Sequence, residues 1–351
     1  MNEHYTYMLR CLELAKKGFG SVAPNPMVGC VIVHNEIIIG EGYHQIYGEA
    51  HAEVNAINSV KDKTLLSKVT VYVNLEPCSH YGKTPPCADL LIKHQVKEVI
   101  IANTDPNPLV AGKGIEKLKE AGINVTTGIL EIEAKALNKR FFCYHTKKRP
   151  YIILKWAKTL DGFMDIDRSQ AGNNLKYWIT NDELKILVHK WRSEEPAIMV
   201  GTNTALNDNP QLNIRYWQGN QPLRLVIDES LSLPKTLHLF DQQNPTVIFT
   251  AKKEESKYNL TYQYINFNDN PLQKILDYLY ETKITSVIIE GGKELLHSFI
   301  EQDLWDEARI LTGNKHFLKG LIAPEIKGKI ISDEEIKNDR LTILYNTKVK
   351  I

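Results

Sequence analysis

Short β-branched runs alternate with helix-sized segments through nearly all of this 351-residue chain. Strand-like stretches at 28–33, 69–75, 99–102 and 123–127 are separated by helical patterns at 50–60, 87–94 and 114–121. A helix at 2–17, closed by Gly18 and Gly20, precedes them. Strands joined through helices lie parallel between helical layers, so the spacing predicts an α/β sandwich. The exception is the start, where His34-Asn35-Glu36 turns the 28–33 run into 37–39, a hairpin. Lys147-Lys148-Arg149-Pro150 then reads as a basic linker, because Pro150 disfavours helix at the residue before it. Beyond it a second α/β series begins. Strands are expected at 151–156, 197–200, 223–227, 246–249, 286–289, 307–311 and 341–345. Helices are expected at 181–191, capped by Thr180 or Asn181, and at 271–280 and 294–300. A chain of this length divides naturally into two domains, 1–147 and 148–351.

Charge and composition narrow the function. Lys plus Arg number 43 and Asp plus Glu 42, a net charge of +1, which speaks against a nucleic-acid partner. No apolar run approaches the roughly 20 residues of a membrane span. The first residues lack the profile of a signal peptide. Five cysteines, an odd number, do not read as a disulfide framework. A small-molecule partner and a cytoplasmic setting are the expectations. Cys11, Cys30 and Cys143 read as ordinary small residues.

The remaining two cysteines carry chemistry. His51-Ala-Glu53 opens a helix, Pro77-Cys78 follows a strand, and Cys87 begins another helix. One imidazole and two thiolates suit zinc, and three protein ligands leave a fourth position for water. Glu53 stands close enough to move protons without being a ligand. His80 is a competing ligand candidate, although a fourth protein donor would close the open site. Each fragment alone is common by chance; together, at strand–helix junctions, they point to hydrolytic deamination.

Through these residues, with the stretches at 23–33, 76–87 and 105–114, the first half resembles the cytidine-deaminase-like superfamily. In detail it resembles the deaminase domain of the bifunctional riboflavin-biosynthesis deaminase/reductases. Most cytidine and tRNA deaminases carry Cys-x-x-Cys; here eight residues separate Cys78 from Cys87, as in the riboflavin group. The resemblance implies zinc on His51, Cys78 and Cys87, with Glu53 as proton shuttle. It implies a substrate pocket lined by Asn25, His44, Lys83 and Asn107. By charge alone Lys83 is either a phosphate contact or a solvated lysine.

In the second half, Glu290-Gly291-Gly292 joins a strand to a helix. Such a turn lets backbone N–H groups approach a phosphate, or serves tight packing. Arg192 and Arg215 are either a phosphate clamp or surface arginines. No Gly-x-Gly-x-x-Gly is present at the turn. This half resembles the reductase domain of the same family, similar in fold to dihydrofolate reductase. That likeness implies NADPH against Ala157, Trp178, Thr204, Asp208, Gly291 and Gly292. It implies the sugar phosphate against Lys176, Arg192, Leu212, Arg215 and Glu290, with Lys155, Asp161 and Glu290 nearest the sugar. Lys176 stands where the family often has serine. The whole resemblance implies a cytoplasmic homo-oligomer that deaminates a diaminopyrimidinone ribotide with zinc and then reduces its ribosyl chain with NADPH. Three rival readings are a monofunctional deaminase with a non-catalytic second domain, a cytidine or tRNA deaminase, and a non-catalytic zinc module.

Overall fold

The computed structural model describes residues 3–81, 85–168 and 178–348. The chain forms two compact units, Met1–Lys148 and Arg149–Ile351.

The first unit is built on a five-stranded sheet, β1 (Gly29–His34), β2 (Ile37–Tyr43), β3 (Thr70–Leu75), β4 (Glu98–Asn103) and β5 (Asn124–Thr127), in the order β2-β1-β3-β4-β5. The expected hairpin is antiparallel, β1 also runs antiparallel to β3, and β3, β4 and β5 are parallel. Side chains alternate across the strands, so the sheet has two apolar faces. Ile32, Val71, Val73, Val99 and Ile101 pack with α2 (Ala52–Ser59), α3 (Cys87–Lys93) and α4 (Lys113–Glu120). Val31, Val33, Tyr72, Ile100 and Ala102 pack with α1 (Glu3–Lys16) and α5 (Glu131–Leu137). The result is an α/β/α sandwich. Helix α5 and its successor α6 (Lys139–Lys147) follow β5, in a stretch where the sequence reading expects no element.

The second unit holds a nine-stranded sheet. From one edge its strands are β11 (Leu260–Tyr264), β10 (Thr246–Thr250), β9 (Leu223–Ile227), β8 (Ala197–Gly201), β12 (Ser286–Glu290), β6 (Tyr151–Thr159), β13 (Glu307–Gly313), β16 (Asp339–Tyr345) and β15 (Lys329–Ile336). All are parallel except β16 and β15, which close one edge antiparallel. A ribbon of β7 (Phe163–Ile166) and β14 (Gly320–Ile322) stands apart. Ile152, Leu154, Trp156, Phe249 and Ile289 bury one face beneath α9 (Pro271–Glu281) and α10 (Lys293–Glu301). Asn181 is the cap of α7 (Asp182–Glu194), its side chain accepting from the Leu184 N–H. A short helix α8 (Thr202–Asp208) follows β8 directly.

One expectation needs correction. Arg149 is no solvated linker residue: it is buried and makes two hydrogen bonds, at 2.6 and 3.0 Å, to the Asp306 carboxylate. The linker falls at the boundary of the two units, but the bidentate partner of Arg149 lies 157 positions away in sequence.

Candidate active sites

In the first unit, His51 is the cap residue of α2 and Cys87 is the first residue of α3. Cys78 follows β3 through Glu76-Pro77. His51 Nδ1 lies 3.6 Å from Cys78 Sγ and 3.3 Å from Cys87 Sγ. The three donor atoms lie within 4.8 Å of one another, and among the described residues no other such group occurs. Tetrahedral zinc, about 2.1 Å from nitrogen and 2.3 Å from sulfur, separates such donors by roughly 3.5 Å. The donor set and its spacing therefore fit zinc. His80 is exposed and outside the group.

Electrostatics agree with thiolate chemistry. The Cys87 thiol and its backbone N–H, 3.3 Å from Cys78 Sγ, stabilise charge on Cys78 and hold its pKa down to about 4. Sharing that proton, and burial, push Cys87 up. Glu53 sits on the first turn of α2, 3% exposed. Burial first, and then the Cys78 charge, raise its pKa, so it holds a proton more readily than a solvated glutamate.

Asn25 and His44 are brought to the same place. The rings of His44 and His51 lie 5.4 Å apart, edge to face. His44 Nδ1 is 3.1 Å from the Ala50 carbonyl and Nε2 is 3.1 Å from the Asn25 amide nitrogen. Nδ1–H therefore donates to Ala50, and Nε2 accepts from Asn25. Burial lowers the pKa of His44, which keeps it neutral. Asn107 makes its hydrogen bonds within its own loop, to Asp105 and Leu109. Lys83 lies outside the described residues.

Sequence reasoning quoted Glu76 without giving it a task. It is buried, and its carboxylate accepts from the N–H groups of Asp105, Gly112, Gly114 and Ile115. An anion at the start of α4 thus fastens the 105–114 loop beside Pro77 and Cys78. A Cβ on Gly114 would meet the Pro77 carbonyl at 2.1 Å, which explains the glycine. A buried acid one residue before a Pro-Cys pair is the signal that was available.

In the second unit a cavity of about 990 Å³ opens among the ends of β6, β8, β9 and β12. Parallel strands end here, and helices begin. Every described candidate of this half except Asp161 lines it: Lys155, Arg192, Leu212, Arg215 and Glu290, and also Ala157, Trp178, Thr204, Asp208, Gly291 and Gly292. Lys176 lies outside the described residues.

Glu290 organises one wall. Lys155 Nζ reaches its Oε1 at 2.8 Å, and Arg192 holds both oxygens with Nη2 at 2.9 Å. Burial works against this charge, but Arg192 and Lys155 overcome it and hold the pKa at about 2. Arg192 thus faces the cavity while paired with a carboxylate. Arg215 instead bonds the side-chain oxygens of Gln211 and Asn213. The Gly291-Gly292 turn has φ of +78° and +75°. A Cβ on Gly292 would meet Thr204 Oγ1 at 2.9 Å, so the turn lies against Thr204. Arg168 bonds Asp208 at 2.8 Å.

Asp161 corrects an expectation. It is not among the cavity's lining residues. Its carboxylate accepts from the Thr159 hydroxyl and the Phe317 and Leu318 N–H groups, tying down a loop. Among the lining residues the sequence reading did not single out, Lys185 and His189 share the cavity face of α7 with Arg192, a three- and four-residue spacing visible in the sequence. Trp156 also lines the cavity; it is 2% exposed, and its indole N–H has no partner among the described residues. A positive-φ glycine pair on the cavity wall, at the start of a helix, fits a bound dinucleotide.

Comparison with known proteins bears on both units. Residues 1–103 match the cytidine and deoxycytidylate deaminase zinc-binding region, and residues 150–317 the RibD C-terminal domain. The riboflavin biosynthesis protein RibD of Aquifex aeolicus is 40% identical over 331 residues, 93% of this chain and 88% of that protein. The Bacillus amyloliquefaciens protein of the same name is also 40% identical, with 93% and 88% coverage. A solved diaminohydroxyphosphoribosylaminopyrimidine deaminase/5-amino-6-(5-phosphoribosylamino)uracil reductase from Thermotoga maritima superposes with a TM-score of 0.87 at 38% identity, covering 98% of this chain and 99% of that one.

Proposed function

The chain belongs to the RibD family, the bifunctional deaminase/reductases of riboflavin biosynthesis, and from that premise we propose a substrate and a task for each site. Residues 1–147 form the deaminase and 148–351 the reductase. The substrate is the diaminopyrimidinone ribotide; the first site removes its ring amino group and the second reduces its ribosyl chain to ribityl. The monofunctional alternative is not favoured, since both family regions match and the cavity has its polar wall.

Zinc, held by His51, Cys78 and Cys87, supplies when bound a water acidified towards neutrality. Glu53 relays two protons in turn, the first to the ring nitrogen and the second to the departing amine, and its raised pKa suits taking up and giving back each one. Asn25, with neutral His44 behind it, orients the ring; Lys83 and Asn107 complete the pocket. In the second site NADPH supplies the reducing equivalent when bound. Ala157, Trp178, Thr204, Asp208 and the Gly291-Gly292 turn hold it. Lys176, Arg192, Leu212 and Arg215 hold the sugar phosphate. Lys155, paired with Glu290 at 2.8 Å, is the donor nearest the sugar. The protein works in the cytoplasm as a homo-oligomer, on a small molecule rather than a nucleic acid or membrane.

The observation that carries this reading is the three-donor cluster with buried Glu53 two residues from His51. Its test is NADPH absorbance after adding the ribotide to zinc-loaded protein. Consumption that needs both substrate and zinc is expected. Ammonia without NADPH consumption would remove the reductase assignment; neither product would remove the substrate.

A further inference from the structure

Lys185, Val188, His189 and Arg192 form one stripe along α7, and all four line the cavity. Within this stripe His189 is buried, at 2% exposure, and its ring has a fixed polarity. The backbone N–H of Arg215 donates to Nδ1 at 3.2 Å, so the neutral ring carries its proton on Nε2. Burial first, then Arg192 and Arg215, push its pKa down to about 4, which keeps the ring neutral. Tyr216 packs edge to face at 4.9 Å and fixes the ring plane. Nε2 has no partner among the described residues. It is also absent from the sealed polar atoms that lack one, so it opens onto the cavity that His189 lines. An N–H donor therefore faces the cavity with nothing in the chain to receive it.

The surrounding charge says what would receive it. Arg192 is balanced by Glu290. Lys185 has only exposed Asp182, at 3.9 Å. Arg215 has no carboxylate partner among the described residues; its guanidinium bonds amide oxygens. A guanidinium without a carboxylate partner and an ammonium with only one distant, exposed carboxylate, beside a neutral donor, favour an anion with several acceptor oxygens.

We propose that His189 is a substrate-binding residue of the reductase, its Nε2–H donating to a phosphate oxygen of the sugar phosphate between Lys185 and Arg215. This rests on the reading of the cavity as a sugar-phosphate site. No covalent step is involved; the ring positions the ester so that the far end of the sugar meets the reducing cofactor.

Asparagine and glutamine separate the two ring nitrogens. His189→Asn keeps an acceptor near Nδ1 for the Arg215 N–H but does not reach the position of Nε2. His189→Gln keeps an N–H near Nε2 and gives up the Nδ1 acceptor. The probes are phosphorylated ribose and ribose itself, titrated by calorimetry into the full chain with NADPH present. Wild type should prefer the phosphorylated sugar; H189N should lose about tenfold in its affinity and H189Q less than about threefold, the scale of one charge-assisted hydrogen bond. NADPH affinity should be unchanged in both variants, which establishes that they fold. In wild type the His189 imidazole N–H resonance should shift on adding phosphorylated ribose and not on adding ribose. H189N binding like wild type, H189Q losing as much as H189N, or no resonance shift would each overturn the proposal while leaving the sugar-phosphate site in place. Wild type with no preference for the phosphorylated sugar would overturn that site as well, and the proposal with it.

Discussion

In the first unit the reactive groups come in short packets, His51 with Glu53 and Cys78 with Cys87, each fixed where a strand or helix begins or ends. In the second, Glu290 draws Lys155 from 135 residues away and Arg192 from 98, and the wall exists only once three distant elements meet. The first site spends backbone geometry to bring soft donors within 4.8 Å. The second spends charge against charge inside a cavity. A metal site built from junction residues is readable as a motif, because each residue type is demanded by its ligand chemistry. A charge network is not, because Lys, Arg and Glu at those positions are equally ordinary on a surface.

The sharpest way to break this comparison is to empty the first site. Cys87→Ala removes the donor that both coordinates and supports the Cys78 thiolate. Bound zinc should vanish on metal analysis, and deamination should fall by at least about a thousandfold. Reduction of pre-deaminated substrate should be unchanged. Glu53→Gln should keep zinc yet lose roughly 10²–10⁴ in deamination rate, the range of a general acid–base group. An empty site in that variant would make Glu53 structural.

Glu290→Gln tests the second site in its own terms. It leaves Arg192 and Lys155 facing each other without their carboxylate, a loss on the order of 3–5 kcal/mol for a largely buried pair. Reduction should collapse while ammonia release persists. The pH dependence has a definite sign. The pKa of Glu290 is depressed to about 2, so its contribution is fully present above the ordinary glutamate value and is lost as pH falls through about 2. The melting-temperature gap between wild type and variant should be constant from pH 6 to 8 and shrink only in acid, from roughly pH 4 downwards. A gap that changes near neutrality would mean another group governs the wall.

Glu76→Gln asks whether the first site also depends on a carboxylate at one remove. The substitution weakens acceptance from four amides and loosens the 105–114 loop beside Cys78. Zinc affinity, measured by chelator competition, should drop about 10–100-fold, as for a residue that supports metal ligands. Unchanged affinity would restrict Glu76 to holding its own loop.

What the sequence made legible follows the same division. The β-branched runs of β3, β4, β6, β8 and β12 were readable because buried parallel strands are continuously apolar, and that of β1 because both its faces are buried. Edge strands β11 and β15 were not: β11 is short and mostly half-buried, and β15 carries exposed polar residues that resemble loop. The metal ligands and Glu53 were readable from residue type and spacing. Arg149 was misread as linker and Asp161 as a sugar contact, since each is defined by a partner more than 150 positions away.

That misreading gives the smallest expected effect. In Asp161→Asn one amide oxygen can still accept from Phe317 or Leu318, and the cavity wall itself is untouched. The loop should loosen, with the reductase kcat/KM staying within about threefold of wild type and any change falling on KM, as expected for a group outside the reacting geometry. Steady-state kinetics on pre-deaminated substrate decides it. A drop of about a hundredfold in kcat at constant KM would return Asp161 to the chemistry of the sugar. It would also mean that the second site, like the first, owes a reactive group to a residue that its motif alone had already marked.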